Sequence, residues 1–501
     1  MNKESIRNLI GFQSVFKDTF FYTLSKIFSN LFYLIFISSL IKIAGEKNYG
    51  FFTTFLMVSQ FIYICFLLPF NNGIIRFGRE EFIQKNKINN IVFINFIFII
   101  PIIIILILLL FFFRHLIVNY INYNNKIIFF VLLFFILNHF LDFTYYILQA
   151  IGKIQLMAFA QIIEKFIPLL FLFLCFVLST KISLFYTIIF IISGFICSIF
   201  FIFLFFDLKI FSPFSFDKNL FIRYIKYTIP IIFGSVLSYF LNWFDIVIIK
   251  KFLTIELTGR YFFCYQLFNG YNQLNIVFLT VILPLITSLV VKKRYDLIEQ
   301  LLSNISFAFF VIFSFSTNFI VLFAYFILWF IYKDNFFSLS LSSFILLFTV
   351  TISFLLNFFA ALMHALEKTF SYSINSIIVL LLKIILSYFL IQRFGIIGAA
   401  ISSFVASLTF LYLYIFNDLY KYFKIKIFYF TSSILLTFVY ILIYALFKNI
   451  YLSFFINSVL LFFFAKYFKI FQKDKLLYLN ELDIPLPLKN ILKIIIEKFN
   501  K

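Results

Sequence analysis

Residues 91–113 read IVFINFIFIIPIIIILILLLFFF. At 1.5 Å per residue this stretch is long enough to cross the ~30 Å hydrocarbon core of a bilayer. It carries no charge, and its apolar residues do not alternate with polar ones as a barrel strand requires. In lipid each backbone N–H and C=O must find its partner within the segment, so the stretch is a transmembrane helix. Similar blocks occur on both sides of it, at 20–42, 51–71, 127–150, 158–178, 183–206, 228–249, 261–290, 304–332, 340–365, 371–391, 396–416, 427–447 and 450–470. The expected fold is an all-α polytopic membrane protein with about 14 transmembrane helices.

Composition agrees. Of 501 residues, 64% are hydrophobic and 12% charged, against about half and about a quarter in a soluble domain. The net charge of +21 does not point to nucleic acid, because the basic residues lie in short gaps between apolar blocks, not on a folded polar surface. Placing the N-terminus inside puts 27 of the 41 Lys and Arg on inner segments, 11 on outer loops and three within spans. Both termini are therefore expected in the cytoplasm. Residues 1–19 read as a retained cytoplasmic segment. The four cysteines, Cys65, Cys175, Cys197 and Cys264, all fall in apolar blocks with neither metal nor disulfide spacing, and read as apolar fillers.

A weak internal repeat organises the chain. Gln149-Ala150-Ile151-Gly152-Lys153 is matched by His364-Ala365-Leu366-Glu367-Lys368, and Asn48-Tyr49-Gly50-Phe51 by Leu257-Thr258-Gly259-Arg260-Tyr261. The copies lie six spans apart in the same orientation. This predicts two parallel six-helix bundles, 20–206 and 228–416, with a cytoplasmic linker at 207–227, two additional helices in 417–470 and a basic tail at 471–501. In the tail, Leu488, Ile491, Leu492, Ile495 and Phe499 recur at helical spacing beside Lys489 and Lys493, as in an amphipathic helix on an anionic membrane surface or in a plain charged tail. Every fourth residue from Gly395 through Ala399, Ser403 and Ser407 is small, which marks a close helix-packing face.

Enzyme chemistry has no foothold here. The sequence contains no phosphate-binding loop, dinucleotide fingerprint, HExxH or nucleophile elbow, no D-x-D, and no polar loop longer than about twenty residues. No catalytic residue, metal ligand or cofactor is expected. The informative residues are charges at membrane depth, each costing about 2.5–3.5 kcal/mol or more to insert. The cations are Lys26, Lys165 and Lys383, the first two near enough to the inner face to snorkel. The acids are Asp142, Glu164 and Asp245. They are candidates for coupling to H+ or Na+, although Asp142 could form a structural pair with Lys165 and Asp245 could be an interfacial anchor. His139 and His364 read as helix-end histidines. Arg76 and Arg79 lie among glycines after the second span, where they either set topology or grip a diphosphate. Pro69, Pro101, Pro168 and Pro284 predict kinks.

Several segments carry a resemblance. They are Gly45-Glu46-Lys47-Asn48-Tyr49-Gly50-Phe51, GIIRFGRE at 73–80, Tyr227-Thr228-Ile229-Pro230, Trp243-Phe244-Asp245, Thr258-Gly259-Arg260-Tyr261, Val281-Ile282-Leu283-Pro284-Leu285 and Arg393-Phe394-Gly395-Ile396-Ile397-Gly398-Ala399-Ala400. In this order, over residues 40–420, the sequence resembles the polysaccharide (O-antigen type) flippases of the multidrug/oligosaccharidyl-lipid/polysaccharide (MOP) superfamily. The resemblance implies a bacterial inner-membrane protein with a central cavity lined by cations, for which Lys26, Arg76, Lys165 and Lys383 are the candidate substrate-binding residues. It implies an undecaprenyl-diphosphate-linked oligosaccharide as substrate, made inside and delivered outside for lipopolysaccharide or another surface polysaccharide. The implied partners are membrane lipids and the polysaccharide polymerase and chain-length machinery. A peptidoglycan-precursor flippase shares this logic. A drug/cation antiporter would favour an acidic cavity, and a glycan polymerase or ligase would need a larger outer loop.

Overall fold

A computed structural model describes residues 3–467 apart from 181, 207, 212–215, 292, 301–305, 334–335, 367–368 and 416–426. The tail at 471–501 lies outside the described residues. Among the described residues every regular element is a helix. Twelve of these helices are long and apolar enough to cross a bilayer. The chain divides into two compact units, residues 1–262 and 263–501.

In the first unit the order is α1 (Lys3–Ala44), α2 (Glu46–Lys85), α3 (Asn89–Phe112), a short α4 (Arg114–Ile121), α5 (Ile127–Ile151), α6 (Ile154–Val177), α7 (Leu184–Phe205), a 3-10 turn (Leu208–Phe211) and α8 (Lys218–Phe252). Helix α8 begins inside the segment expected as a linker, capped by Asp217, whose carboxylate accepts from the N–H groups of Asn219 and Leu220. Glu81 does the same for α3, accepting from the N–H groups of Asn90 and Ile91 at 3.1 and 3.0 Å. Helix α1 packs along α6, α6 along α7, and α5 against α7. Their outward faces stay apolar: Leu108, Phe112, Phe173, Phe176 and Phe203 are exposed, as lipid-facing residues must be.

Helix α9 (Ile255–Val291) begins at the end of the first unit and continues into the second. There follow α10 (Tyr295–Gln300), α11 (Ser306–Ile331), α12 (Phe336–Ala365), α13 (Thr369–Phe394), α14 (Ile396–Leu413), α15 (Ile427–Phe447) and α16 (Ile450–Tyr467). Helices α9 and α15 coincide with the eighth and thirteenth expected spans.

The packing carries the repeat further than the sequence does. In the first unit the fourth and fifth spans (α5, α6) pack on the sixth (α7). In the second unit the tenth and eleventh (α12, α13) pack on the twelfth (α14). Each sixth helix sets a glycine against a backbone carbonyl, Gly194 in mid-helix and Gly398 in the first turn. A Cβ on Gly194 would overlap the Glu164 carbonyl of α6, and one on Gly398 would overlap the Leu390 carbonyl of α13. The expected stripe of small residues on α14 is corrected accordingly. Of Gly395, Ala399, Ser403 and Ser407 only Ala399 is fully buried, Gly395 starts the helix at φ 59°, and the backbone contact belongs to Gly398.

Candidate functional site

The site is built around the course of α2. Over Tyr63–Leu67 this helix widens into a π-turn, with the Leu68 N–H donating to the Tyr63 carbonyl. Pro69 accounts for it. Its missing N–H orphans the Cys65 carbonyl and its ring crowds the turn before it, so the helix takes in an extra residue rather than break. A second π-turn follows at Ile74–Gly78. Between the two, Asn71 is fully buried, with its Nδ2 3.4 Å from His139 Nδ1. His139 lies midway along α5 and is 2% exposed, so it is a core residue and not at a helix end as the sequence suggested. The side chain of His364 lies outside the described residues. Tyr224 of α8 closes this region. Its ring lies on Gly73, its hydroxyl donates to the Phe70 carbonyl at 2.6 Å, and Asn95 Nδ2 donates to that hydroxyl at 2.8 Å.

The first π-turn presents Tyr63 to α5, and its hydroxyl donates to the Asp142 carboxylate. Asp142 lies within electrostatic reach of Glu164, Lys26 and Lys165. Glu164 is ion-paired with Lys165 and accepts from the Tyr145 hydroxyl at 3.0 Å. The Lys165 ammonium sits 5.2 Å from the Tyr33 ring centroid and that of Lys26 5.3 Å from the Tyr22 ring, so aromatic faces share in holding both cations. Nearby, Ser29 of α1 donates to the Gln161 carbonyl at 3.0 Å, tying α1 to α6 at this depth. The sequence-level alternative of an Asp142–Lys165 pair is therefore replaced by two partnerships, Asp142 with Tyr63 and Lys165 with Glu164.

The cluster is held by backbone chemistry. Pro168 cannot donate to the Glu164 carbonyl one turn earlier, and Gly194 of α7 rests against that carbonyl and the Pro168 ring. Glu164 is thus fixed at a point where α6 and α7 cannot slide apart without uncovering an unpaired carbonyl.

The remaining candidates lie elsewhere. Arg76 is exposed on the second π-turn, its guanidinium 5.0 Å from the Tyr227 ring and 5.5 Å from the Phe77 ring. Its neighbour Arg79 donates to the Ala150 carbonyl at 3.2 Å, capping α5. Glu80 takes a two-pronged contact from Arg223 of α8, at 3.1 and 2.9 Å. Asp245 is buried and accepts from the Tyr261 hydroxyl at 3.3 Å, apart from the Asp142 cluster. Lys383 is buried midway along α13, in the second unit. Among the described residues no His, Cys, Asp and Glu gather as a metal site.

Residues 15–290 match a protein family described as "Polysaccharide biosynthesis protein". No curated protein sequence matches the chain. Among solved structures, the fold resembles that of the lipid II flippase MurJ in an inward closed conformation, with a TM-score of 0.67 and 17% identity over 89% of this chain and 98% of that one. It also resembles a multidrug resistance MATE family transporter of the MOP superfamily in an inward-facing conformation, with a TM-score of 0.59 and 12% identity over 77% and 93%. The Vibrio cholerae MATE transporter VcmN in its bent form gives a TM-score of 0.50 and 12% identity over 79% and 95%. The chain thus has the fold of the MOP transporters.

Proposed function

The chain belongs to the polysaccharide biosynthesis protein family, and from that premise we propose that it is a flippase. Its cargo is an oligosaccharide linked through diphosphate to undecaprenol, carried by alternating access from the cytoplasmic to the outer leaflet of a bacterial inner membrane to supply a surface polysaccharide. The observation that carries this reading is the cluster of Lys26, Lys165, Asp142 and Glu164 at membrane depth on three helices. Charges there are costly unless they serve a polar cargo or an ion. A diphosphate and sugars cannot cross hydrocarbon without polar partners, and cations supply them. Arg76 and Lys383 complete the proposed set of substrate-binding residues. Asp142, Glu164 and Asp245 are the acids through which H+ or Na+ would reset the cycle. The polymerase and chain-length proteins that consume the flipped unit are the proposed partners, and the protein itself is a transporter and not an enzyme.

The direct test reconstitutes the purified protein in vesicles with a fluorescent polyprenyl-diphosphate oligosaccharide and follows its loss of protection from a membrane-impermeant quencher. Protein-dependent, ATP-independent exchange is expected; exchange no faster than in empty vesicles defeats the proposal. The likeness of fold to a lipid II flippase favours peptidoglycan precursor as the second reading. Exchange of lipid II in preference to other polyprenyl-diphosphate glycans would select it.

Orientation has its own test. A phosphatase reporter fused after Lys501 should be inactive and a cytoplasmic fluorescent reporter active, from the excess of inner Lys and Arg. The reverse result would invert the topology.

A further inference from the structure

The first unit also holds an apolar cavity, lined in part by the same helix, α5, that carries Asp142. This cavity, of about 380 Å³, lies between α3, α5 and α7 and is bordered at one end by Phe211 of the 3-10 turn. Val92, Phe96, Leu137, Ile147, Phe203 and Phe206 are among its walls. The Thr144 hydroxyl, also on its lining, is satisfied by the Leu141 carbonyl at 2.7 Å, so it asks nothing of a ligand. From Ile147 to Leu137 the wall climbs α5 by ten residues, or ~15 Å. That is the depth of one leaflet of a ~30 Å hydrocarbon core. The deep end is carbon-lined, and the shallow end is basic. Phe206, at the rim, carries the Lys153 ammonium 5.5 Å from its ring centroid, and Lys153 is exposed at the start of α6. The 3-10 turn at this same end is held in place by the Ile88 N–H, which donates to the Ile210 carbonyl at 3.2 Å.

We propose that this cavity holds one acyl chain of an anionic phospholipid, with its phosphate at Lys153. A cavity without polar demands, one leaflet deep and inside a membrane, excludes water-soluble ligands and suits a straight hydrocarbon chain. Its depth is far short of a long polyprenol. The cation at the mouth selects a net negative headgroup. The bound lipid would wedge α3, α5 and α7 together beside the Asp142 cluster. The inference does not depend on what the protein transports.

Native mass spectrometry of the detergent-purified chain tests it, with phosphatidylglycerol and phosphatidylethanolamine added in equal amounts. One phosphatidylglycerol per chain should be retained about fivefold better than phosphatidylethanolamine, the weight of one basic residue near an anionic headgroup. Lys153→Gln, on an exposed side chain, should erase that preference. Thr144→Trp, which fills the cavity, should remove the retained lipid of either kind while the protein still elutes as one species. Equal retention of both lipids by the unaltered protein overturns the proposal. So does an unchanged preference in Lys153→Gln, or retention of a polyprenyl phosphate in place of phosphatidylglycerol. If Thr144→Trp fails to fold, the Lys153→Gln comparison alone decides.

Discussion

A protein carrying Lys26→Ala and Lys165→Ala together should be made at near-normal levels and flip its lipid-linked cargo at a tenth of the normal rate or less. Hydrogen bonds to charged groups contribute about 1.5–3 kcal/mol each, and every ~1.4 kcal/mol is a factor of ten in rate or affinity. Both lysines are half-exposed and lean on tyrosine rings, and Lys165 is paired with the residue beside it. If they serve the cargo, Lys→Arg at both positions should keep much of the activity, because the charge survives. The opposing account is that they only neutralise Asp142 and Glu164. In that case the double alanine variant leaves the buried Glu164 and the half-buried Asp142 uncompensated and loses protein rather than rate. Flipping measured per unit of folded protein separates the two. A normal rate with lowered abundance would remove the lysines from the substrate path.

The largest structural effect is expected at Gly194. Gly194→Val should yield little folded protein and a melting temperature lower by several degrees. The Cβ would sit inside van der Waals contact with the Glu164 carbonyl and meet the Pro168 ring. Neither neighbour can give: one is backbone, the other a ring fixed in its helix. Overpacking a core costs about 1–3 kcal/mol, and more when backbone must move. Here α7 must move away from α6, which also uncovers the carbonyl that Pro168 leaves unpaired. Gly398→Val should do the same to α13 and α14. Elution of Gly194→Val as one species with an unshifted melting curve would show that this contact is looser than described.

The architecture was legible in the sequence because lipid permits so few solutions. A run such as 91–113 has only one way to satisfy its backbone, and such runs recur along most of the chain. The repeat was faint in residues, and the packing adds to it only that the fourth and fifth helices of each half lie against the sixth. The charge cluster was half visible. Lys26, Lys165, Asp142 and Glu164 stood out by the cost of burying charge, and the structure brings them together. Their partners did not stand out. Tyr63, Tyr145, Tyr33 and Tyr22 are hidden among 30 tyrosines. A tyrosine at membrane depth is too cheap to attract notice. Pro69 was read as a kink. Which turn it would widen, and therefore which face Tyr63 would occupy, depends on what packs against α2.

To the genome, each π-turn in α2 is the size of a single codon. Adding or deleting one residue in an α-helix swings everything beyond it by about 100°, and a π-turn is how a helix absorbs such an insertion without unravelling. Removing one residue from 63–67 would leave a plain helix, but with Asn71 turned off His139 and Gly73 turned out from under Tyr224. The phase of α2 is therefore set twice along its length, and a helical wheel drawn from its sequence goes out of register at each resetting. Aligned with gaps forbidden inside helices against a relative without these π-turns, this stretch would mismatch. An alignment that allows a single-residue gap near Pro69 and another near Gly78 would bring the inward-facing positions back into line.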